Sequence, residues 1–389
     1  MSSAPRPRFD SRWNHVLCAP DGFKESISSP NAARAMARGL DAAIPGCTAD
    51  VCPIADGGEG SVETLIAASG GRLEYHTVMG PRGEPVSAPI GWIDTDSQEL
   101  TAVIGLADAS GLALLPTDQR DPTQTTTFGT GELMLRAIRD GAQRLILGLG
   151  GSATCDGAAG LAQAMGVRFL NADGAPITSP LTGGTLSSIA RIERCANVPP
   201  ITVICDVTNP LLGSRGSAAT YGPQKGATPS QVMELDAQLA HLAAITGGDV
   251  HAPGAGAAGG AGFGVVTLLG AVLARGIDVA LDAVGFDDRL RRADIVLTGE
   301  GRLDAQSQAG KAVMGVAERA GRAGVRTIAI VGDVGEGWSD CVDPATPTKL
   351  LGVLALTDAF DRERALREPA ACIESLVMMW ARGVGLSHP

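Results

Sequence analysis

Lysine is nearly missing from this chain: Lys24, Lys225, Lys311 and Lys349 stand against 27 arginines (31 basic residues less four). Arginine serves wherever the two cations are interchangeable, so the surviving lysines mark places where a compact ammonium is hard to replace by a planar fork. Aromatic residues are scarce at 3%, against 52 glycines, which implies close backbone approaches and small-residue helix packing. The five histidines show no partner spacing, which argues against a histidine metal centre or a serine triad. The eight cysteines include no CxxC pair and fit reduced thiols in a cytosol. No GxxxxGK[ST], GxSxG or HExxH is present. Positive charge is also short: the net charge of −11 disfavours nucleic acid or an anionic membrane as partner. No run of about 20 apolar residues could span a bilayer, and residues 1 to about 13 contain no apolar leader core, so they are expected to form a loose tail on a cytoplasmic protein.

What is present is a repeated pattern of apolar strand, glycine-rich loop and helix. HVLCAP, the loop DGFKESISS, a helix from Pro30 with Ser29 as N-cap, and DVCPIA make a βαβ unit. DGFKES therefore falls at the carboxyl end of a strand, where open α/β sheets bind ligands. ADGGEG repeats the arrangement before SVETLIAAS. From about Leu73 to Leu106 the extended segments LEYHTVMG, VSAPIGWI and ELTAVIGL, separated by turn signals, suggest antiparallel pairing and a second domain. Helix GELMLRAIRDG, strand RLILGLG, segment TVICDVTNP and a long helix around QVMELDAQLAHLAAI follow. GAGAAGGAGFG precedes a further helix, and ADIVLTGEG then restores the strand and glycine loop. The fold class expected is α/β in two domains. Residues 1–77 and 287–389 would form a Rossmann-like parallel-sheet domain, and residues 78–286 an inserted α/β domain with a mixed sheet.

Three lysines, Lys24, Lys225 and Lys311, fall in glycine-bearing or strand-end loops. Lys311 opens the helix KAVMGVAERAG, at the positive end of the helix dipole, a conflict that a bound anion would remove and that exposure to solvent would equally tolerate. The loop GLGGSATCDGAAG can turn bare amides toward an oxyanion. It also imitates a dinucleotide fingerprint through Gly148, Gly150 and Ala153, with Asp173 beyond, and it could equally be a tight packing turn capped by Asp156. A carboxylate accompanies each such loop: Asp21, Asp56 with Glu59, Asp156, Asp206, and Glu300 with Asp304. Phosphoryl transfer needs acids of this kind to accept a hydroxyl proton and to hold Mg²⁺, although any one of them could be a helix cap.

Eight segments in order (APDGFKES, PIADGGEG, TFGTGEL, GLGGSATCDG, CDVTNPLLG, YGPQKGAT, PGAGAAGGAGFG and LTGEGRLDAQS…GK) resemble the bacterial glycerate kinases of the galactarate and glyoxylate pathways, from about Val16 to Gly332. The resemblance implies a discontinuous α/β domain, a second domain inserted in it, an active site in the cleft between them, and ATP with Mg²⁺. It also implies D-glycerate as acceptor and, in this branch, 2-phosphoglycerate as product. Gly22, Cys155, Ala158 and Val313 depart from the family's usual Ser, Asn, Gly and Pro, and none of these changes removes a charge.

On this reading Asp206 is the expected base, with Asp156 as its rival, and Lys24 and Lys311 screen the moving phosphate. Gly148, Gly150, Gly151 and Ser152, together with Gly57 and Gly58, hold anionic groups by their amides. Glu300 positions Mg²⁺ or a ribose hydroxyl, Asp304 and Asp56 are metal ligands, and Asp21, Arg302 and Lys225 serve the acceptor. Arg302 suits a planar carboxylate but could instead pair with Asp304. A nicotinamide-dependent hydroxy-acid dehydrogenase and a non-catalytic anion-binding protein remain as alternatives. The expected partners are small molecules, with no nucleic acid and no membrane, and a homodimer is left open.

Overall fold

Short runs of buried aliphatic residues become the strands of two separate sheets. The computed structural model describes residues 7–23, 26–54, 65–66, 69–94, 99–194, 198–309 and 312–384. Two compact units divide the chain, one formed by residues 1–58 and 276–389 and the other by residues 59–275.

In the first unit, β1 (His15–Cys18), β2 (Thr48–Val51), β11 (Ile295–Leu303), β12 (Arg326–Val334) and β13 (Gly352–Ala355) form a five-stranded sheet in the order β13-β12-β11-β1-β2. Every neighbouring pair is parallel. Parallel strands are covered on both faces, and here one face packs Val16, Cys18, Ile295 and Ile328 against the helices Ser29–Ala43 and Pro369–Ala381, while Leu17 and Val296 pack on the other. Each fully buried aliphatic side chain of this kind contributes about 1.5–3 kcal/mol. The chain leaves β1 toward β2 on one side and later adds β11, β12 and β13 on the other. The boundary between β1 and β11 is therefore the topological switch point, and a crevice is expected beyond its carboxyl ends.

The second unit holds β3 (Arg72–Met79), β4 (Pro85–Asp94), β5 (Leu100–Gly105), β6 (Arg144–Gly148), β9 (Ile201–Ile204) and β10 (Val272–Ala274), in the order β10-β9-β6-β5-β4-β3. β3, β4 and β5 pair antiparallel, and β5, β6, β9 and β10 pair parallel. This is the mixed sheet expected from the sequence. A small antiparallel ribbon, β7 (Arg168–Leu170) with β8 (Arg191–Glu193), stands apart. Among the described residues no helix is long and apolar enough to cross a membrane.

Several expectations need correction. The boundary after residue 77 would have cut through β3, whose eight residues pair with β4, so the division lies near residue 58 instead. The return, expected at residue 287, comes at Gly276, because Ile277, Ala280 and Leu281 pack with Leu17 and Val296 of the first unit. Residues 7–13 are not loose: Phe9 stacks edge-on to Trp13 and Trp380, and Trp380 Nε1 donates to the Pro7 carbonyl at 2.9 Å. The N-cap position of the first helix is Ser28 rather than Ser29, and its side chain makes no capping bond. TGEG is not a loop either, since β11 continues through it, paired with β12 from Ile295↔Arg326 to Leu303↔Val334. Its glycine permits this close pairing, because a Cβ on Gly299 would lie 2.2 Å from the Ile330 carbonyl oxygen.

GAGAAGGAGFG is a packing element. It enters the helix Ala257–Leu269 through Ala258, Gly259 and Gly260, all at positive φ. A Cβ on Gly259 would lie 1.9 Å from the Thr154 carbonyl oxygen. These glycines buttress the 148–160 loop from behind, and the Gly157 amide donates to the Gly259 carbonyl at 3.0 Å.

Candidate active site

At the switch point of the first unit the backbone after β1 bonds to β11: the Ala19 amide donates to the Leu297 carbonyl at 2.7 Å and the Asp21 amide to the Gly299 carbonyl at 2.8 Å. Thr298 Oγ1 donates to the Ala19 carbonyl at 2.9 Å. Asp21 is thereby held beside the end of β11, where Glu300 and Arg302 project on the same side of the strand. A cavity of about 290 Å³ opens here. Its polar wall includes Asp21, Glu300, Arg302, Asp304, Ser307 and Asp333, and its apolar wall is Phe23, Leu356, Ala365 and Leu366.

The carboxylates are oriented by short local bonds. Ser307 Oγ donates to Glu300 Oε1 at 2.6 Å, and the Gln306 amide donates to Asp304 Oδ1 at 2.8 Å. Among the described residues no carboxylate pairs with Arg302, so the expected alternative of an Arg302–Asp304 ion pair is not found. Sequence reasoning missed Asp333, Thr357 and Arg362 on the same wall. Thr357 Oγ1 donates to Asp333 Oδ1 at 3.1 Å, and Arg362 lies 3.8 Å from Asp333 Oδ2. The run TIAIVGD carries the same signature of strand, glycine and aspartate as the first motif and could have revealed Asp333. Arg362 is one arginine among 27, and nothing in the sequence singles it out.

In the second unit β6 ends at Gly148 and leads into the 150–152 turn. Asp206 is exposed two residues past the end of β9, the strand paired with β6 in the register Gly148↔Ile204. Adjacent strands lie about 4.8 Å apart, so turn and carboxylate share one end of the sheet. The turn is anchored from below: the Leu112 amide donates to the Gly151 carbonyl at 2.8 Å, and the Ala153 amide to the Ser110 carbonyl at 2.9 Å. Among the described residues, the amides of Gly150, Gly151 and Ser152 donate to no protein acceptor. Gly150 has ordinary φ, and a Cβ there would meet nothing within 4 Å. Neither conformation nor packing requires a glycine at that position.

Two expected site residues prove to be internal. Asp156 is fully buried. Its Oδ2 accepts from the Thr127 amide and hydroxyl, each at 2.8 Å, and from the Gly160 amide at 3.2 Å, and its Oδ1 accepts from the Ala158 amide at 3.2 Å. Burial pushes its carboxyl above the ordinary range, against the pull of those donors. It is a structural acceptor and not an exposed base. Asp156→Ala would strand these donors and is expected to cost on the order of 3 kcal/mol. Thermal unfolding checks this, and an unchanged Tm would contradict it.

Lys225, expected to serve the acceptor, is 2% exposed. Its Nζ donates to Ser152 Oγ and to the Thr154 carbonyl, both at 2.7 Å. It lies beneath the glycine turn and does not face solvent.

Lys24, Lys311, Asp56, Gly57 and Gly58 lie outside the described residues. The dinucleotide fingerprint finds no support, because Asp173 sits in the exposed turn after β7 rather than at the tip of a neighbouring parallel strand. Among the described residues, one metal-sized cluster of side chains occurs, Glu74, His76 and Asp140. Arg72 and Arg136 already pair with its two carboxylates.

Comparisons with known proteins agree with one another. The sequence profile of the Glycerate kinase family matches residues 16–383. A glycerate kinase of Halalkalibacterium halodurans is 42% identical over 380 residues, covering 94% of this chain and 99% of the relative. The glycerate 2-kinase of Escherichia coli K12 is 41% identical, covering 89% and 93%. A crystal structure from Salmonella typhimurium, of a protein assigned as glycerate kinase 2, superposes with a TM-score of 0.77 at 36% identity, over 96% of this chain and 98% of that one. With a matching profile over nearly its whole length and relatives above 40% identity, the chain belongs to the glycerate kinase family.

Proposed function

We propose that this protein transfers the γ-phosphoryl group of ATP to the 2-hydroxyl of D-glycerate, giving 2-phosphoglycerate. The observation that carries the reading is the 150–152 turn, exposed at Gly150 and Gly151, whose amides take no protein acceptor among the described residues, beside the exposed carboxylate of Asp206. Backbone amides fixed around empty space suit a phosphate, and a carboxylate at the same sheet end can accept the proton of an attacking hydroxyl. The kinship with a glycerate 2-kinase supports the regiochemistry.

In this mechanism Asp206 takes the hydroxyl proton as the oxygen attacks the γ-phosphorus. The amides of Gly150, Gly151 and Ser152, with Gly148 at the strand end, hold phosphate oxygens. Lys24 and Lys311 are assigned to screening the transferring group, and Gly57 and Gly58 to further amide contacts. In the first unit the apolar wall of Phe23, Leu356, Ala365 and Leu366 offers glycerate nothing to bind but suits the flat base of a nucleotide. Asp304 Oδ2 takes no protein donor among the described residues, and Glu300 is an oxygen donor on the same wall. These hard oxygens fit Mg²⁺, which needs only one or two carboxylates beside water and phosphate. Asp304, Glu300 and Asp56 would hold the ion, which would supply neutralisation of phosphate charge.

The reading is tested by incubating the enzyme with ATP, Mg²⁺ and D-glycerate and recording the ³¹P spectrum of the product. A 2-phosphoglycerate resonance is expected, with L-glycerate turned over poorly. A 3-phosphoglycerate resonance would overturn the regiochemistry, and absence of ADP would overturn the activity. Arg302, with no carboxylate partner among the described residues, is assigned to the glycerate carboxylate, and Asp21 to a glycerate hydroxyl. Arg302→Ala is expected to raise KM for glycerate about ten- to a hundredfold, the loss of one charge-assisted pair. An unchanged KM would dismiss that assignment.

A further inference from the structure

Lys225 is the buried cation that the mechanism above leaves without a task. It closes the short turn Pro223–Lys225, and its ammonium is covered on all sides. Two of its three N–H groups are accounted for by Ser152 Oγ and the Thr154 carbonyl, which bracket Ala153 at the root of the glycine turn. Burying an ammonium costs several kcal/mol unless the surroundings repay it, so a sealed lysine with one hydroxyl and one carbonyl for partners is an expensive feature. A methionine would fill the same volume at less cost. What methionine lacks is the ability to hold both groups at once and to place a positive charge behind amides that face an anion.

We propose that Lys225 is a positioning residue of the phosphate cradle: from the buried side it locks Ser152 and Thr154, and it lends its charge to a nucleotide phosphate seated on the exposed amides. The inference rests on reading the 150–152 turn as that cradle. Lys225 touches no substrate. Its contribution is to hold the turn in the conformation that binds and to favour an anion there, in a low-dielectric setting where a fixed charge acts strongly.

Protonation supplies a readout that packing alone would not move. Burial lowers the Lys225 pKa to about 8, opposed by the negative charge that Cys155 and Asp156 carry when ionised. Arg120 packs its backbone against Gly226, next in the chain. The Cys155 thiol is itself pushed up to about 11 by burial, so it stays neutral through the range in question. An anion on the turn stabilises the ammonium, so binding and protonation of Lys225 must favour each other. The sign for folding is opposite. A lysine whose folded pKa lies below its unfolded value of 10.5 contributes stability that is present above 10.5 and lost as pH falls through about 8. As pH rises through 8, nucleotide affinity should therefore fall while this contribution to stability rises.

The test is calorimetric titration of the whole enzyme with ADP and Mg²⁺ from pH 7 to 9.5, in buffers of different ionisation enthalpy. Wild type is expected to weaken about tenfold across that range and to take up a fraction of a proton on binding near pH 8.5. Lys225→Met is expected to bind about tenfold more weakly at pH 7 and to lose the proton uptake. Lys225→Arg should restore affinity at pH 7 and remain flat to pH 9.5. Proton uptake that persists in Lys225→Met, or wild-type affinity that ignores pH, would overturn the proposal, and the wild-type measurement serves even where the variant fails to fold. Gly150→Val separates the two readings. If it leaves ADP binding intact, the cradle itself is wrong; if it abolishes binding while Lys225→Met behaves as wild type, only the role of Lys225 fails.

Discussion

Replacing Asp206 by asparagine is expected to lower kcat by about 10²- to 10⁴-fold, the range of a positioned general base. The change keeps the size of the side chain and removes its ability to hold a proton. Asp206 is exposed beyond the end of its strand, so any change in stability should be small beside the loss in kcat. KM for ATP should hold within about twofold, because the lost interaction forms only as the hydroxyl proton departs. Steady-state kinetics beside thermal unfolding separate these quantities. Near-normal turnover would transfer the base role to another carboxylate, and Asp156 could not take it, since its two oxygens are occupied by four internal donors. Asp21, held at the end of β11 by the Gly299 carbonyl, would then be the residue to replace next.

What was legible in the sequence follows a physical division between local and non-local causes. Apolar runs ending in glycine and aspartate announce the carboxyl ends of β1 and β6, because strand propensity and turn chemistry are written into adjacent residues. Antiparallel pairing of β3 to β5 was readable from the turns that join them. Burial is different. Lys225 stands in GPQKGAT with the same neighbours a phosphate lysine would have, and only its packing under the 150–152 turn removes it from solvent. Asp156 likewise looks like a loop carboxylate until Thr127, 29 residues earlier in the chain, is folded against it. The glycines of 254–264 show a related ambiguity: a glycine needed for close backbone approach and one needed for a ligand are identical as letters. Phe9 and Trp13 carry no periodicity, so their docking on Trp380 had no local signal.

That ambiguity of glycine is what makes Gly150→Val informative. At Gly259 a Cβ would lie 1.9 Å from the Thr154 carbonyl oxygen with φ at +74°, and at Gly151 φ is +73° with the Ala107 Cβ only 3.1 Å away. Side chains at those two positions are excluded by the protein itself, and substituting them should cost stability, by about 1–2 kcal/mol for the left-handed conformation alone. Gly150 meets neither restriction, so Gly150→Val should fold with an unchanged Tm. Its isopropyl group would occupy the open space over the turn that a phosphate needs. The expected result is a fall of about 10²-fold or more in kcat/KM for ATP, comparable to losing a set of preorganised oxyanion donors. Because nothing else in the fold registers the change, a defect confined to nucleotide use would identify the turn as the phosphate cradle. If Gly150→Val instead turned over normally, the bare amides of the 150–152 turn would have no part in the reaction, and the phosphate would have to be sought among the groups that line the cavity beyond β1 and β11.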